Sequence, residues 1–471
     1  MGMQSIFSII GPIMVGPSSS HTAGAVNIGL AAKKHLKAAI KEIEITLYGS
    51  YAAGVNGHKT DVALVGGCLG FEAKDVRVRD ALVYAQKAGI NIVVKSDVNP
   101  SYHTNTAVLI ITDINGRIIS VRGSSVGGGS IVIDEVLLLS DQGMEVEPIY
   151  TFTGHDNQEV EVLGFETCAE LIAETEKRNC LISDIAVEQE ALALGASIEE
   201  VRQQVSEILQ VMRDSIAKGI RGNIKSIGGL TDDDACKLIA AIESKTTRFS
   251  DTYLKAAAWA MAVNEVNTEM GVVAACPTGG ACGLVPGAVL AAAESLNATD
   301  AQIIDALLTA AAIGQRFSKA YTLCASVGGC QVEIGIATGM AAAAVCQLMG
   351  GSARQICDAT AIALKSIIGM TCGALGGLCE SPCIKRNGTC TSISLTAANM
   401  GLAGIKSQVP LDEVFWAIMN TGKHLPKRLL GTQPTGLAAT ATGMQAYMHI
   451  YGAEKMQIFR EDSYKIDKET Y

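Results

Sequence analysis

Three cysteines lie in segments punctuated by glycine or proline: Val327-Gly328-Gly329-Cys330, Gly369-Met370-Thr371-Cys372-Gly373 and Cys379-Glu380-Ser381-Pro382-Cys383. Thiolates select zinc or iron–sulfur, and a cluster is held where such breaks let thiolates and backbone N–H groups converge. Three ligands with one open iron would leave a Lewis-acid position for a substrate hydroxyl. The spacing is neither a zinc-finger pair nor a ferredoxin run. Free thiols buried among alanine-rich helices are therefore the competing reading, and it suits Cys236, Cys346 and Cys357 well. It suits Cys372, Cys379, Cys383 and Cys390 less, because they crowd into one short stretch.

Two histidine segments could complete a site. Gly16-Pro17-Ser18-Ser19-Ser20-His21-Thr22 precedes a helical run over residues 23–37. Three hydroxyls and the free N–H groups of a helix N-terminus suit an anion such as a substrate carboxylate, so Ser18, Ser19, Ser20 and Thr22 are candidate binding residues. His21 could add a hydrogen bond or a proton. The plain alternative is an N-cap with spare serines. Gly54-Val55-Asn56-Gly57-His58-Lys59-Thr60-Asp61 follows a strand expected at 42–48, and its glycines would let backbone approach a ligand. His58 is expected in a strand-to-helix loop, where catalytic groups concentrate; a surface histidine capping a helix is the alternative.

The elements that must carry these residues divide in two. Residues 1–150 read as a small mixed α/β domain, with strands at 42–48, 91–95, 106–114 and 131–136, a hairpin turn at Asn115-Gly116 and helices after Thr22 and Asp61. A polar, irregular linker is placed at 151–165. Residues 166–455 read as a larger all-helical domain, with helices at 166–178, 198–218, 232–244, 252–266, 300–317 and 354–368 and a capping box at Thr299–Gln302. A charged tail is expected at 456–471. The fold class is α+β.

The chain has 471 residues, 48% hydrophobic and 18% charged, which excludes intrinsic disorder. Lys+Arg 37 against Asp+Glu 47, a net charge of -10, with no basic run, argues against nucleic acid as a partner. No strongly apolar stretch of membrane-spanning length is read, so no membrane partner is expected. The segment MGMQSIFSIIGPIMVG lacks a basic region and a cleavage-like site. A cytoplasmic, reducing location is expected, in which the 14 cysteines serve as metal ligands or buried thiols rather than disulfides. Low charge and abundant apolar residues suggest a homodimer.

GPSSSHTAGA at 16–25, GHKTD at 57–61, SSVGGGS at 124–130, MAVNEVN at 261–267, GGCQVEIG at 328–335 and PCIKRN at 382–387 resemble, in order, the blocks of the iron–sulfur-dependent L-serine dehydratases (L-serine ammonia-lyases). The likeness covers nearly the whole chain, in the single-chain form with the β domain before the α domain. It implies a [4Fe-4S] cluster on Cys330, Cys372 and Cys383. It also implies conversion of L-serine to pyruvate and ammonia in a pocket between the domains, with His58 as base and His21 beside the substrate. The regulatory ACT module of some relatives is not expected, because the linker leads directly into the helical domain. The chain departs from the family pattern at Cys276-Pro277-Thr278, at Gly373-Ala374 after Cys372, and at Leu430-Gly431-Thr432. Those departures keep open a lyase on the same fold acting on another β-substituted acid, such as cysteine or threonine. A pyridoxal-phosphate dehydratase, faintly echoed at Lys385-Arg386-Asn387-Gly388, and an iron–sulfur sensor are weaker rivals. Cys276, Cys324 and Cys379 are possible further cluster ligands.

Overall fold

The computed structural model describes residues 4–140, 143–147, 150–152, 165–248, 250–431 and 435–452. Most of the linker expected at 151–165, and all of the tail expected at 456–471, lie outside them. The chain separates into two compact units. One holds Ile13–Gln158 and Met270–Val272; the other holds Met1–Pro12, Glu159–Glu269 and Val273–Tyr471.

The first unit is built on a seven-stranded sheet. Ile40–Tyr48 alternates in the manner of a half-buried strand: Ile43, Ile45 and Leu47 point into the core, Glu42 and Glu44 away from it. Asn91–Asp97 pairs with it in parallel. On its other side Thr106–Asp113, Ile118–Gly127 and Ser130–Ser140 follow in antiparallel succession. The Asn115-Gly116 turn forms as expected. Gly116 takes φ +82°, and the Asp113 carboxylate accepts from the Asn115 and Arg117 N–H groups at 2.8 and 3.0 Å. Beyond the last expected strand, 131–136, the sheet continues: Gly143–Glu147 and Tyr150–Phe152 both pair with Ser130–Ser140. Their polar, alternating sequence is that of strands at a sheet margin rather than of a loop.

Two helices, Gly24–Lys33 and Thr60–Leu69, cross at glycines. A Cβ on Gly29 would meet Leu64 O at 2.3 Å, and one on Gly67 would meet Val26 O at 2.1 Å. Backbone therefore packs on backbone, and this crossing holds the ends of the two histidine segments together.

The second unit is helical. Asp251–Thr268, Leu284–Leu296, Asp300–Ala320, Ile334–Leu348 and Cys383–Leu402 form its centre. Ile334–Leu348 is buried from Ile334 to Gln347, so its apolar residues run around the whole helix rather than along one stripe. Small residues permit this density: Gly283 and Gly287 lie against Ala260, and Gly219 against Ala262. The capping box expected at Thr299 is present, with Gln302 as its reciprocal partner. Gly279–Leu296 and Cys330–Leu348 do reach membrane-spanning length and apolarity, contrary to the expectation from the sequence, but each is 83% buried by neighbouring helices. Alanine and glycine make these helices apolar without making them greasy, which is why no such run stood out.

Candidate active site

In the α/β unit the serine-rich segment is the wide first turn of a helix rather than a separate loop. Ser19–Ala23 form a turn of π-helix that runs directly into Gly24–Lys33. Ser18 caps it, its hydroxyl accepting from the His21 N–H at 3.2 Å. The N–H groups of Ser19 and Ser20 belong to the first turn, which leaves them outside the helical ladder. Thr22 is fully buried; its hydroxyl accepts from the Ser18 N–H at 3.3 Å and donates to the His58 carbonyl at 2.9 Å. His21 is held at both ring nitrogens, Nδ1 lying 3.0 Å from Ser20 Oγ and Nε2 2.8 Å from Ser50 Oγ. The Tyr51 hydroxyl donates to the Ser20 carbonyl at 3.0 Å.

His58 is not in a loop. It is the last residue of a helix, Gly49–His58, that the sequence reading missed. Gly54 and Gly57 lower helix propensity and disguise the pattern. Gly54 is needed there, since a Cβ would lie 2.8 Å from His58 Nδ1. Lys59 then adopts φ +52° and turns the chain into Thr60–Leu69. The His58 and His21 rings sit 4.5 Å apart, tilted by 38°. Burial lowers the pKa of His58 to about 4. Burial, together with His58 beside it, holds His21 well below the usual range. Both imidazoles are therefore neutral at physiological pH and able to accept a proton, but not both at once. The structure thus gathers Ser18, Ser19, His21, Thr22 and His58 into one buried polar cluster, with Ser20 half-buried at its edge.

In the helical unit the thiols come from three breaks. Cys330 opens a short 3-10 turn after Gly329, whose φ is +77°. Cys372 Sγ lies 3.4 Å from Cys330 Sγ. Cys383 is the first residue of the helix Cys383–Leu402, so it lies at a helix start, directly after the segment Cys379–Pro382. The Cys379 thiol hydrogen-bonds to Cys383. That bond, ahead of the Arg386 charge, lowers the Cys383 pKa, while Cys379 as donor is raised. Cys372 is raised chiefly by its contact with Cys330. Four sulfurs, two of them biased toward donor and acceptor, are the chemistry of a soft metal centre. As they stand they associate in pairs, and among the described residues no three His, Cys, Asp or Glu side chains are arranged to hold a metal ion. Of the other candidates, Cys276 and Cys282 are buried thiols pushed up by burial, Cys282 to about 12. Cys324 is likewise raised. Lys385 is ion-paired with Asp234.

Several residues that position the thiols carried no role in the sequence reading. Gln331 ties two of the breaks together: its amide donates to Gly328 O at 3.0 Å and accepts from the Gly369 N–H at 2.9 Å, and its backbone N–H donates to Met370 O at 3.1 Å. Asn387 donates to Gly280 O at 2.8 Å and accepts from the Gly283 N–H at 3.1 Å. The Glu380 carboxylate accepts from Ser226 Oγ at 2.8 Å, Gly228 N at 2.6 Å and Leu230 N at 2.9 Å. Burial raises the Glu333 carboxyl to about 8, with Cys330 adding to the effect. The available signal was a polar residue directly after Cys330 and Cys379, Gln331 and Glu380, where a buried polar group must be bonded.

Comparison with known proteins agrees with the division into two regions. A family model described as serine dehydratase alpha chain matches residues 177–438, and one described as serine dehydratase beta chain matches residues 5–89. The probable L-serine dehydratase, alpha chain, of Bacillus subtilis (strain 168) is 41% identical over 288 residues, 61% of this chain and 96% of that protein. The probable L-serine dehydratase, beta chain, of the same organism is 43% identical over 136 residues, 29% of this chain and 61% of that protein. L-serine dehydratase TdcG of Escherichia coli (strain K12) is 31% identical over 467 residues, 93% of this chain and 99% of TdcG.

Proposed function

Because the chain belongs to the serine dehydratase family, with the beta-type region preceding the alpha-type region in one polypeptide, we propose that it is a carbon–oxygen lyase that converts L-serine to pyruvate and ammonia. Cys330, Cys372 and Cys383 would hold a [4Fe-4S] cluster, which when bound supplies a Lewis acid for the β-hydroxyl.

This chain's own residues supply the rest. The turn Ser18–Thr22 takes the substrate carboxylate through its hydroxyls and first-turn N–H groups. His58 removes the α-proton onto a ring nitrogen, and His21, fixed by Ser20 and Ser50, orients the substrate beside it. An imidazole depressed to about 4 is a weak base, but a bound carboxylate brings a negative charge that favours imidazolium and strengthens it when substrate is present. The α-proton and the β-hydroxyl leave as water, and the released aminoacrylate tautomerises to an imine that hydrolyses to pyruvate and ammonia.

The observation that carries this reading is the neutral, buried His58–His21 pair at 4.5 Å on a serine-lined helix start. The test is a substrate panel on anaerobically reconstituted protein. Pyruvate from L-serine should form much faster than 2-oxobutyrate from L-threonine or sulfide from L-cysteine. Faster turnover of either alternative would move the assignment to another β-substituted amino acid, which the altered segments at Cys276 and Gly373 would then explain.

A further inference from the structure

The helix Gly49–His58 carries Ser50, Tyr51 and His58, yet its N-cap residue, Tyr48, makes no side-chain capping bond. The second and third N–H groups of a helix have no partner inside the ladder and need an acceptor from outside it. That acceptor is Thr104, which lies 54 residues along the chain from Ser50, in the connection between the strands Asn91–Asp97 and Thr106–Asp113. Its carbonyl accepts from the Ser50 N–H at 2.6 Å and from the Tyr51 N–H at 3.4 Å. Its hydroxyl oxygen accepts from the same Ser50 N–H at 3.1 Å. One residue thus does from a distance what an N-cap side chain does locally.

The approach is close enough to require glycine at the helix start. Gly49 has φ +54°, and a Cβ there would lie 2.6 Å from Thr104 O and 2.8 Å from Thr104 Cα. Thr104 is itself held between anchored neighbours. The Thr106 hydroxyl donates to the His103 carbonyl at 2.8 Å, and the Asn105 N–H donates to His103 Nδ1 at 3.2 Å. Asn105 is buried and bonded to Ser125 in both directions. Its carbonyl accepts from the Ser125 N–H at 3.0 Å, and its amide donates to the Ser125 carbonyl at 3.4 Å. The sheet therefore fixes Thr104, and Thr104 fixes the start of the helix.

Ser50 is the residue gripped by both Thr104 oxygens, and it is also the residue whose hydroxyl lies 2.8 Å from His21 Nε2. A shift of the helix start moves that hydroxyl and turns the ring. The other end of the helix has its own anchor, the Thr22 hydroxyl on the His58 carbonyl at 2.9 Å. The two histidines are thus held by different contacts, and a change at Thr104 reaches His21 first. We infer that Thr104 is a positioning residue for His21, acting through Ser50. The kinetic consequence rests on the proposed dehydratase activity; the structural one does not.

The experiment is a double-mutant cycle on the full-length chain: wild type, Thr104→Val, Thr104→Ser, Ser50→Ala and Thr104→Val with Ser50→Ala. Each is measured for iron content and steady-state kinetics on L-serine after anaerobic reconstitution. The ring-nitrogen NMR resonances of His21, assigned with His21→Asn, are followed in the metal-free protein. Thr104→Val keeps the side-chain shape and removes one acceptor, so KM for L-serine should rise roughly 2- to 10-fold, with kcat and iron near wild-type values. Thr104→Ser should remain near wild type. The double variant should be no worse than Ser50→Ala alone, because both changes act through one hydroxyl, and the His21 resonances should move in Thr104→Val. Additive effects of Thr104→Val and Ser50→Ala overturn the inference. So does an unchanged KM, or a Thr104→Ser variant as impaired as Thr104→Val. A wild-type holoenzyme that makes no pyruvate from L-serine would defeat the dehydratase reading alone. The His21 resonances then decide the inference separately, and resonances unmoved by Thr104→Val would overturn it.

Discussion

The histidine cluster of the α/β unit and the thiol set of the helical unit are assembled in opposite ways. The first is largely wired locally: Ser18, Ser20, His21 and Thr22 bond to one another within a single turn, and one partner helix supplies Ser50, Tyr51 and His58. The second draws on breaks far apart in sequence, joined by Gln331, Glu380 and Asn387 through backbone groups. A locally wired cluster is complete once its helix starts. A dispersed one is only as good as the residues that hold its segments together.

The contrast can be broken most directly at the thiols. Cys383→Ser removes a soft donor, and bound iron after anaerobic reconstitution should fall to near background. His58→Ala should retain full iron while kcat drops roughly 10²- to 10⁴-fold. If His58→Ala also lost iron, the two regions would not be chemically separate.

Acid sharpens the comparison. His58 stays neutral in the fold down to about 4 against 6.5 when unperturbed, so the unfolded chain binds a proton in that window that the folded chain refuses. Stability is therefore full above 6.5 and is lost as pH falls toward 4, by about 3 kcal/mol from this group. Denaturant midpoints of wild type and His58→Asn at pH 7 and 4.5 should show the smaller pH loss in the variant.

Glu380→Ala strands a hydroxyl and two N–H donors, and should cost roughly 2–3 kcal/mol, read as a lower melting temperature of the apo-protein. Tyr51→Phe removes the bond to the Ser20 carbonyl at 3.0 Å and the contact with Ser125, and should cost about 1 kcal/mol, with little change in iron.

The same contrast explains what the sequence made legible. The Ser18–Thr22 turn was readable because cap, hydroxyls and histidine are contiguous and chemically explicit. The helix carrying His58 was not, because Gly54 serves a close approach to His58 Nδ1 at the expense of helix propensity. The cysteines were visible as residues, but their order in space depends on side chains such as Gln331, whose partners lie in other breaks and leave no local pattern. The strands beyond residue 140 were missed because a marginal, polar strand resembles a loop until its pairing partner is known.

The measurement that bears most directly on the proposed function is the paired determination of iron and of pyruvate formation from L-serine across wild type, Cys330→Ser, Cys372→Ser and Cys383→Ser, all reconstituted under anaerobic conditions. Pyruvate formation should fall in proportion to iron in every variant. A variant without iron that still makes pyruvate at the wild-type rate would contradict the account.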